Sequence, residues 1–153
     1  MLIRSYLPSD LPQILSLFRR AVHTIARGEY TPSQLEAWAP VCPDTQAWSS
    51  SLAAHFALVA VKNGQLAGFA DLEEPAYFDR LYVAPEALHQ GVARELADQI
   101  EARAKELGSS SITVHASKTA LGFFLHRNYY ILQEQTVERR GELLTNFVMK
   151  KDF

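Results

Sequence analysis

Apolar residues at Leu11, Ile14, Leu15, Phe18, Val22 and Ile25 recur at helical spacing and predict a helix with one buried stripe. Before it, Leu2 to Leu7 reads as a short strand stopped by Pro8. Ser9 and Asp10 make a helix start with Pro12 still in the first turn, and Gly28 is placed to terminate the helix. Thr31-Pro32 opens a second short helix through about Trp38, Pro40 and Pro43 bracket a break, and Asp44 to Ala54 predicts a third. Phe56 to Lys62 reads as a buried strand. Asn63-Gly64 is a strong hairpin dipeptide, so Gln65 to Leu72 should pair back antiparallel. After a turn at Pro75, Tyr77 to Val83 predicts a fourth strand. Val92 to Leu107 is the clearest helix. Val92, Leu96, Ile100 and Leu107 make its inner face, filled in by Ala93, Ala97 and Ala104, and Gly108 is placed for a C-terminal cap. Arg94–Asp98 and Glu101–Lys105 read as ion pairs on its wet face. A strand over Ser111 to Ala116, a short helix over Lys118 to Arg127 and two strands around Arg140-Gly141 complete the chain. Antiparallel strands followed by a β-α-β crossover predict an α/β (α+β) fold, a mixed sheet with helices on both faces.

Composition bounds the class. A length of 153 residues, 48% apolar and 21% charged, suits one globular domain over residues 1–153. Fifteen Lys and Arg against seventeen Asp and Glu leave a net charge of -2, so a nucleic-acid partner is not expected. Cys42 is the only cysteine, which excludes an internal disulfide and a cysteine-rich zinc site; no metal is expected. The longest apolar run, Phe56 to Val61, is far short of the ~20 residues a membrane span requires. The cytoplasm is the expected compartment, and no membrane partner is expected.

The chemistry concentrates between Leu81 and Arg94. A strand ends at Val83 and a helix begins near Gly91, whose first amides lack intrahelical acceptors and point with the helix dipole at an anion site. Gly91 and Ala93 are small enough for close backbone approach, and no acid occurs from Ala87 to Arg94. The segment is neither a dinucleotide fingerprint nor a P-loop, since both glycine patterns are absent. By itself it reads first as a helix start with a glycine and no ligand.

These residues resemble the cofactor motif of the GNAT superfamily of acyl-CoA N-acyltransferases, Q/R-x-x-G-x-G/A after a strand often ending Leu-Tyr-Val-x-Pro. Here Leu81-Tyr82-Val83-Ala84-Pro85 precedes Gly91-Val92-Ala93, with Leu88 at the Q/R position. A second GNAT pattern, N-x-x-A-x-x-F-Y-x-x-x-G-F, reads Ser117, Ala120, Phe123, Phe124, Asn128 and Tyr129, with the spacing kept. The resemblance covers most of the chain, and the stretch from Ala21 to Pro40 is similar to a bacterial branch of the superfamily.

The resemblance implies a mostly antiparallel sheet of about seven strands, splayed between the fourth and fifth, with acetyl-CoA in the splay as acyl donor. The backbone of Leu81 and Val83, beside Tyr82, would bond the pantetheine arm. The amides of His89, Gln90, Gly91, Val92, Ala93 and Arg94 would hold the pyrophosphate. Ser117, Ala120, Phe123 and Phe124 would line the thiol end. A primary amine of a small molecule or peptide would attack the thioester directly. Asp79 is the first candidate base, with Glu73, Asp71 and His115 as rivals; each carboxylate reads also as a solvated strand-end charge and His115 as a packed side chain. The family's usual acid is a tyrosine where this chain has Phe124, so Tyr130, Tyr82 or His126 would have to substitute, or the thiolate would leave without a donor.

For the acceptor pocket the candidates are His23, Tyr30, Trp38, Trp48, Glu73 and Asn146, with Glu29 and Glu36 as acids that attract an amine. Aromatic residues in short helices also serve as core, and Asn146 is equally suited to a hairpin hydrogen bond. Cys42, between Val41 and Pro43, reads as buried. Many relatives are dimers, so the resemblance admits a homodimer. A non-catalytic acyl-CoA-binding module, motivated by Phe124, and an interaction domain sharing only the fold are the competing readings. Charge adds one expectation. Residues 21–79 carry two cations against seven acids, net -5, and no acid occurs from Leu107 to Gln133, which fits a cationic amine at one wall and an anionic cofactor at the other.

Overall fold

A computed structural model describes residues Met1 to Phe153. Its strands are β1 (Leu2–Ser5), β2 (Phe56–Lys62), β3 (Gln65–Glu73), β4 (Tyr77–Val83), β5 (Ser111–Ser117), β6 (Tyr130–Arg139) and β7 (Glu142–Asp152). The helices are α1 (Leu11–Ile25), α2 (Pro32–Trp38), α3 (Thr45–Ala54), α4 (Val92–Glu106) and α5 (Leu121–His126). The strands form one seven-stranded sheet in the order β1-β2-β3-β4-β5-β7-β6. Every pairing is antiparallel except β4 with β5, the mixed α/β architecture expected of a GNAT-like chain.

Local chemistry sets the punctuation. Thr31 caps α2, accepting from the Gln34 amide at 3.2 Å while the Gln34 side chain accepts from the Thr31 amide at 2.8 Å. Asp44 caps α3 through the Ala47 amide. Asn63 and Gly64 both take positive φ, the tight turn that joins β2 to β3, and Arg140 and Gly141 repeat it between β6 and β7. The first strand ends at Ser5 rather than Leu7. The helix after β5 starts at Leu121 rather than Lys118, because Ser117 turns the chain by accepting the Ala120 amide.

Helix α4 packs so closely on β3 that a Cβ on Gly68 would lie 2.8 Å from Val92 Cγ1 and 2.9 Å from the Tyr82 carbonyl oxygen. The carbonyl is strand backbone and does not yield. Gly68→Ala is therefore expected to destabilise the fold by about 1–3 kcal/mol, read as a lower midpoint in urea. On the opposite face of the sheet, Phe69 and Tyr82 meet Trp48 of α3 and Phe18 of α1 edge-on or tilted. The ion pairs expected along α4 are replaced by pairs to Arg127 and Lys151, residues outside the helix. Glu101 is 4% exposed and bonded to Arg127 and Lys151 rather than Lys105, and Asp98 pairs with Arg127 rather than Arg94. The helical period put Glu101 on the wet side, but the Arg127, Tyr129 and Lys151 side chains cover it there while Asp98 and Lys105 stay exposed. No helix is long and apolar enough to cross a membrane.

Candidate active site

Strands β4 and β5 pair only at Tyr77–Thr113 and Phe78–Val114. Just beyond, β4 carries an extra residue. Asp71 of β3 faces Arg80 while the next residue, Leu72, faces Phe78, which leaves Asp79 as a bulge. The bulge twists β4 away from β5, and the edge of β4 from Asp79 to Val83 has no partner strand on that side. Unpaired backbone groups there are free for a ligand. Two joined cavities occupy the gap. The larger, about 420 Å³, runs from Val83 and Ala93 to Phe123. The smaller, about 150 Å³, runs from Asp79 and His115 to Asn146. Trp38, Leu81, Tyr82, Ser117 and Ala120 line both and mark the junction.

The larger cavity ends at the start of α4. His89 (φ 60°) and Gly91 (φ 83°) are both left-handed, and they turn the loop so that its amides face inward. From Leu88 to Arg94 no backbone N–H donates to a backbone carbonyl; the first helical bond is Glu95 N–H to Gly91. This run of free amides at the positive end of a 15-residue helix is suited to a phosphate chain. The Arg94 guanidinium lies 3.5 Å from where a Gly91 Cβ would be, and it forms no ion pair. Thr119 Oγ1, buried in the same cavity, has no hydrogen-bond partner.

At the other end, Asp79 heads a charged network. Its carboxylate is 3.6 Å from His55 Nδ1 and 3.6 Å from Arg80 Nε. His55 Nδ1 is 2.9 Å from Asp71, which is fully buried and gripped by the Arg80 guanidinium. Arg80 also donates to Ser51 Oγ at 2.7 Å and lies over the Trp48 ring. Burial, and then the neighbouring Asp71 charge, push the Asp79 carboxyl above the usual carboxylate range, against the pull of Arg80 and His55. Burial and the Asp79 charge likewise push the Tyr77 phenol up to about 12. His55, Asp71 and Asp79 bring their ligand atoms within 4.8 Å of one another. A cation there would have to displace Arg80 from Asp71, so the cluster reads as a closed ion-pair network.

Residues 26–151 match the acetyltransferase (GNAT) domain. The chain belongs to the GNAT acetyltransferase family. It is 38% identical over 148 residues to the uncharacterised N-acetyltransferase YafP of Escherichia coli (strain K12), covering 97% of this chain and 93% of that protein. The crystal structure of a GCN5-related N-acetyltransferase from Rhodopseudomonas palustris superposes with a TM-score of 0.97 at 34% identity, covering 99% of this chain and 95% of that one. The PaiA N-acetyltransferase of Thermoplasma acidophilum, solved in complex with coenzyme A, shares the fold with a TM-score of 0.77 at 21% identity, covering 99% and 98%.

In this GNAT protein the cleft gathers most of the residues singled out in the sequence. Leu81, Tyr82, Val83, His89, Gly91, Val92, Ala93, Arg94, Ser117, Ala120 and Phe123 line the larger cavity; Tyr30, Asp79, His115, Phe124 and Asn146 line the smaller, and Trp38 lines both. Tyr30 clips the two halves, donating to the Thr145 carbonyl at 2.7 Å and accepting the Lys118 amide at 2.9 Å.

Other expected residues lie elsewhere. Tyr130 sits at the far end of the sheet, bonded to Asp152 at 3.0 Å, because β6 starts there and reaches the cleft only at Val137 and Arg139. His23 holds the Ala39 carbonyl at 2.8 Å and lines a separate surface depression. The Glu73 side chain is 61% exposed and lines neither cavity. The Gln90 side chain turns outward to Lys62, leaving only its amide in the loop. Trp48 is core, His126 lines an outer groove, and Cys42 is exposed rather than buried. Of the acids in residues 21–79, Asp79 alone lines the cleft. Glu36 pairs with Arg19, Glu74 with Arg103 and Asp71 with Arg80, so summed charge mapped pairing rather than walls. His55, the cap residue after α3, was missed, since no periodicity marks it.

Proposed function

We propose that this protein transfers an acetyl group from acetyl-CoA to a primary amine of a small molecule or peptide, by direct attack in a ternary complex. The observation that carries this reading is the joined pair of cavities where β4 leaves β5, with free helix amides at one end and Asp79 at the other. The amides of His89 to Arg94 take the pyrophosphate. The unpaired β4 edge at Leu81 and Val83 takes the pantetheine arm as an added strand. Ser117, Ala120 and Phe123 border the thioester.

The acceptor arrives as an ammonium beside Asp79, which removes one proton. The neutral nitrogen attacks the thioester carbon while a β4 N–H polarises the carbonyl oxygen. The C–N bond forms, the C–S bond breaks, and the nitrogen sheds its second proton to water. Phe124 has no proton to give, so the thiolate leaves as such and is protonated from solvent. With thiol pKa values ~8.5 in the cysteine case, it is a fair leaving group.

Acetyl-CoA is expected to raise Tm by mass action on the folded state, and an amine panel read by thiol release should show turnover. No shift at millimolar acetyl-CoA would defeat the proposal. A shift with no thiol release across the panel would favour a non-catalytic acyl-CoA-binding module, the reading that the absent hydroxyl at Phe124 supports. Gly91→Val puts a β-branched residue at φ 83°, a strain of about 1–3 kcal/mol that re-aims the loop. The variant should lose most of the acetyl-CoA-induced rise in Tm, measured by thermal shift.

A further inference from the structure

We propose that the acceptor is a small amino carboxylate whose ammonium sits at Asp79 and whose carboxylate is bound by Arg139; this rests on the acetyl transfer proposed above. Strand register carries the argument. Ser117 of β5, Asn146 of β7 and Gln135 of β6 stand side by side, so they share one face of the sheet. Alternation puts His115, Leu144, Val137 and Arg139 on that face too. Arg139 and Asp79 thus line one cavity from opposite sides of the splay. The Tyr77 hydroxyl feels both: the Asp79 charge raises its pKa and the Arg139 charge lowers it.

The charges of this cavity are not equivalent. Arg80, its other arginine, is spent on Asp71 and Ser51. Arg139 forms no ion pair, although Glu142 stands across the hairpin from it, and it donates only to the Glu138 carbonyl at 2.9 Å. A guanidinium with most of its donors free suits a carboxylate, which it binds through two parallel N–H bonds. In the same cavity, Asn146 Oδ1 is buried without a partner, an acceptor that an ammonium N–H would satisfy. The cavity holds about 150 Å³ and is lined by Tyr30, Trp38, Val137 and Leu144, a size that suits a small molecule. A cation and an anion facing one small space complement a zwitterion better than a plain amine, which Arg139 would repel.

The test compares α-, β- and γ-amino acids with their carboxamides as acceptors, with acetyl-CoA as donor and thiol release as readout. The amides hold more neutral amine at a given pH, so a preference for the acids does not come from basicity. The expected result is a kcat/KM at least about tenfold higher for the acids, the size of a charged hydrogen bond. In Arg139→Gln the ratio should fall towards one through a raised KM for the acids, with the acetyl-CoA-induced Tm shift retained. Arg139 is exposed at the hairpin end, so this variant should fold, and its own Tm verifies that. Equal or better use of the amides, or an unchanged ratio in Arg139→Gln, overturns the proposal and leaves acetyl transfer standing. Turnover of other amines but of neither set does the same. Absence of both turnover and the acetyl-CoA shift overturns the two together.

Discussion

Asp79→Asn is expected to lower kcat for acetyl transfer by ~10²- to 10⁴-fold, the usual contribution of a positioned general base. Asn keeps the size of the side chain and removes only its ability to take a proton, so the acetyl-CoA-induced rise in Tm should persist. The stability of the free protein should not fall. Asp79 is half-buried, and its carboxyl is raised by burial and by Asp71, so its ionised form is disfavoured in the folded state. A carboxyl with a raised folded pKa lowers stability as pH climbs through that pKa; at neutral pH, removing its charge relieves the fold. Activity has the opposite slope. Turnover of the wild type should rise with pH through the raised Asp79 pKa, and this limb should vanish in Asp79→Asn. A base therefore separates from a structural carboxylate by three readings together: lost kcat, an unchanged or higher Tm, and a missing acid limb. Turnover unchanged in Asp79→Asn would remove Asp79 as the base.

The two halves of the cleft were not equally legible in the sequence. The loop before α4 is local: Gly91, Ala93 and the absence of acids fall within one short stretch, and helix ends obey rules of spacing. The acceptor side is assembled by register across β4, β5, β7 and β6, and register follows from turns and bulges that lie far apart in the chain. The bulge at Asp79 leaves no mark in Tyr77-Phe78-Asp79-Arg80-Leu81, which reads as an unbroken strand. Asp71 looked like a rival base because its burial under Arg80 and His55 is a tertiary fact. Tyr130 looked like a donor because it adjoins the second motif, but a strand moves 3.3 Å or so per residue, and β6 starts at the end of the sheet remote from Ser117.

The largest stability effect is expected at Glu101, the residue whose surroundings the helical period misjudged. Its carboxylate is bonded at 2.9 Å by Arg127 Nε, at 2.8 Å by Lys151 Nζ and at 2.9 Å by the Tyr129 hydroxyl. These partners come from the end of α5, from β7 and from the start of β6, so one side chain ties α4 to the C-terminal hairpin. Removing one partner from a buried pair costs about 3–5 kcal/mol, because the remaining charges stay in a poor solvent. Arg127 and Lys151 keep 14% and 19% of their side chains exposed, so water can reach them in part, and the lower end of that range applies. Glu101→Ala should therefore cost about 3 kcal/mol, or on the order of 10 °C in Tm for a chain of this size. The pH dependence tests the cause. Burial alone would raise the Glu101 carboxyl, but hydrogen bonds from Arg127 and Lys151 outweigh it and hold the folded pKa below the usual range. A depressed carboxyl pKa contributes stability that is complete above the unfolded value, ~4.3, and is lost as pH falls through the folded one. The gap in Tm between wild type and Glu101→Ala should thus be widest near neutral pH and should close in acid. A gap that stays constant from neutral pH down into acid would mean that Glu101 acts by packing, and the ionic account of how α4 is tied to the hairpin would be wrong.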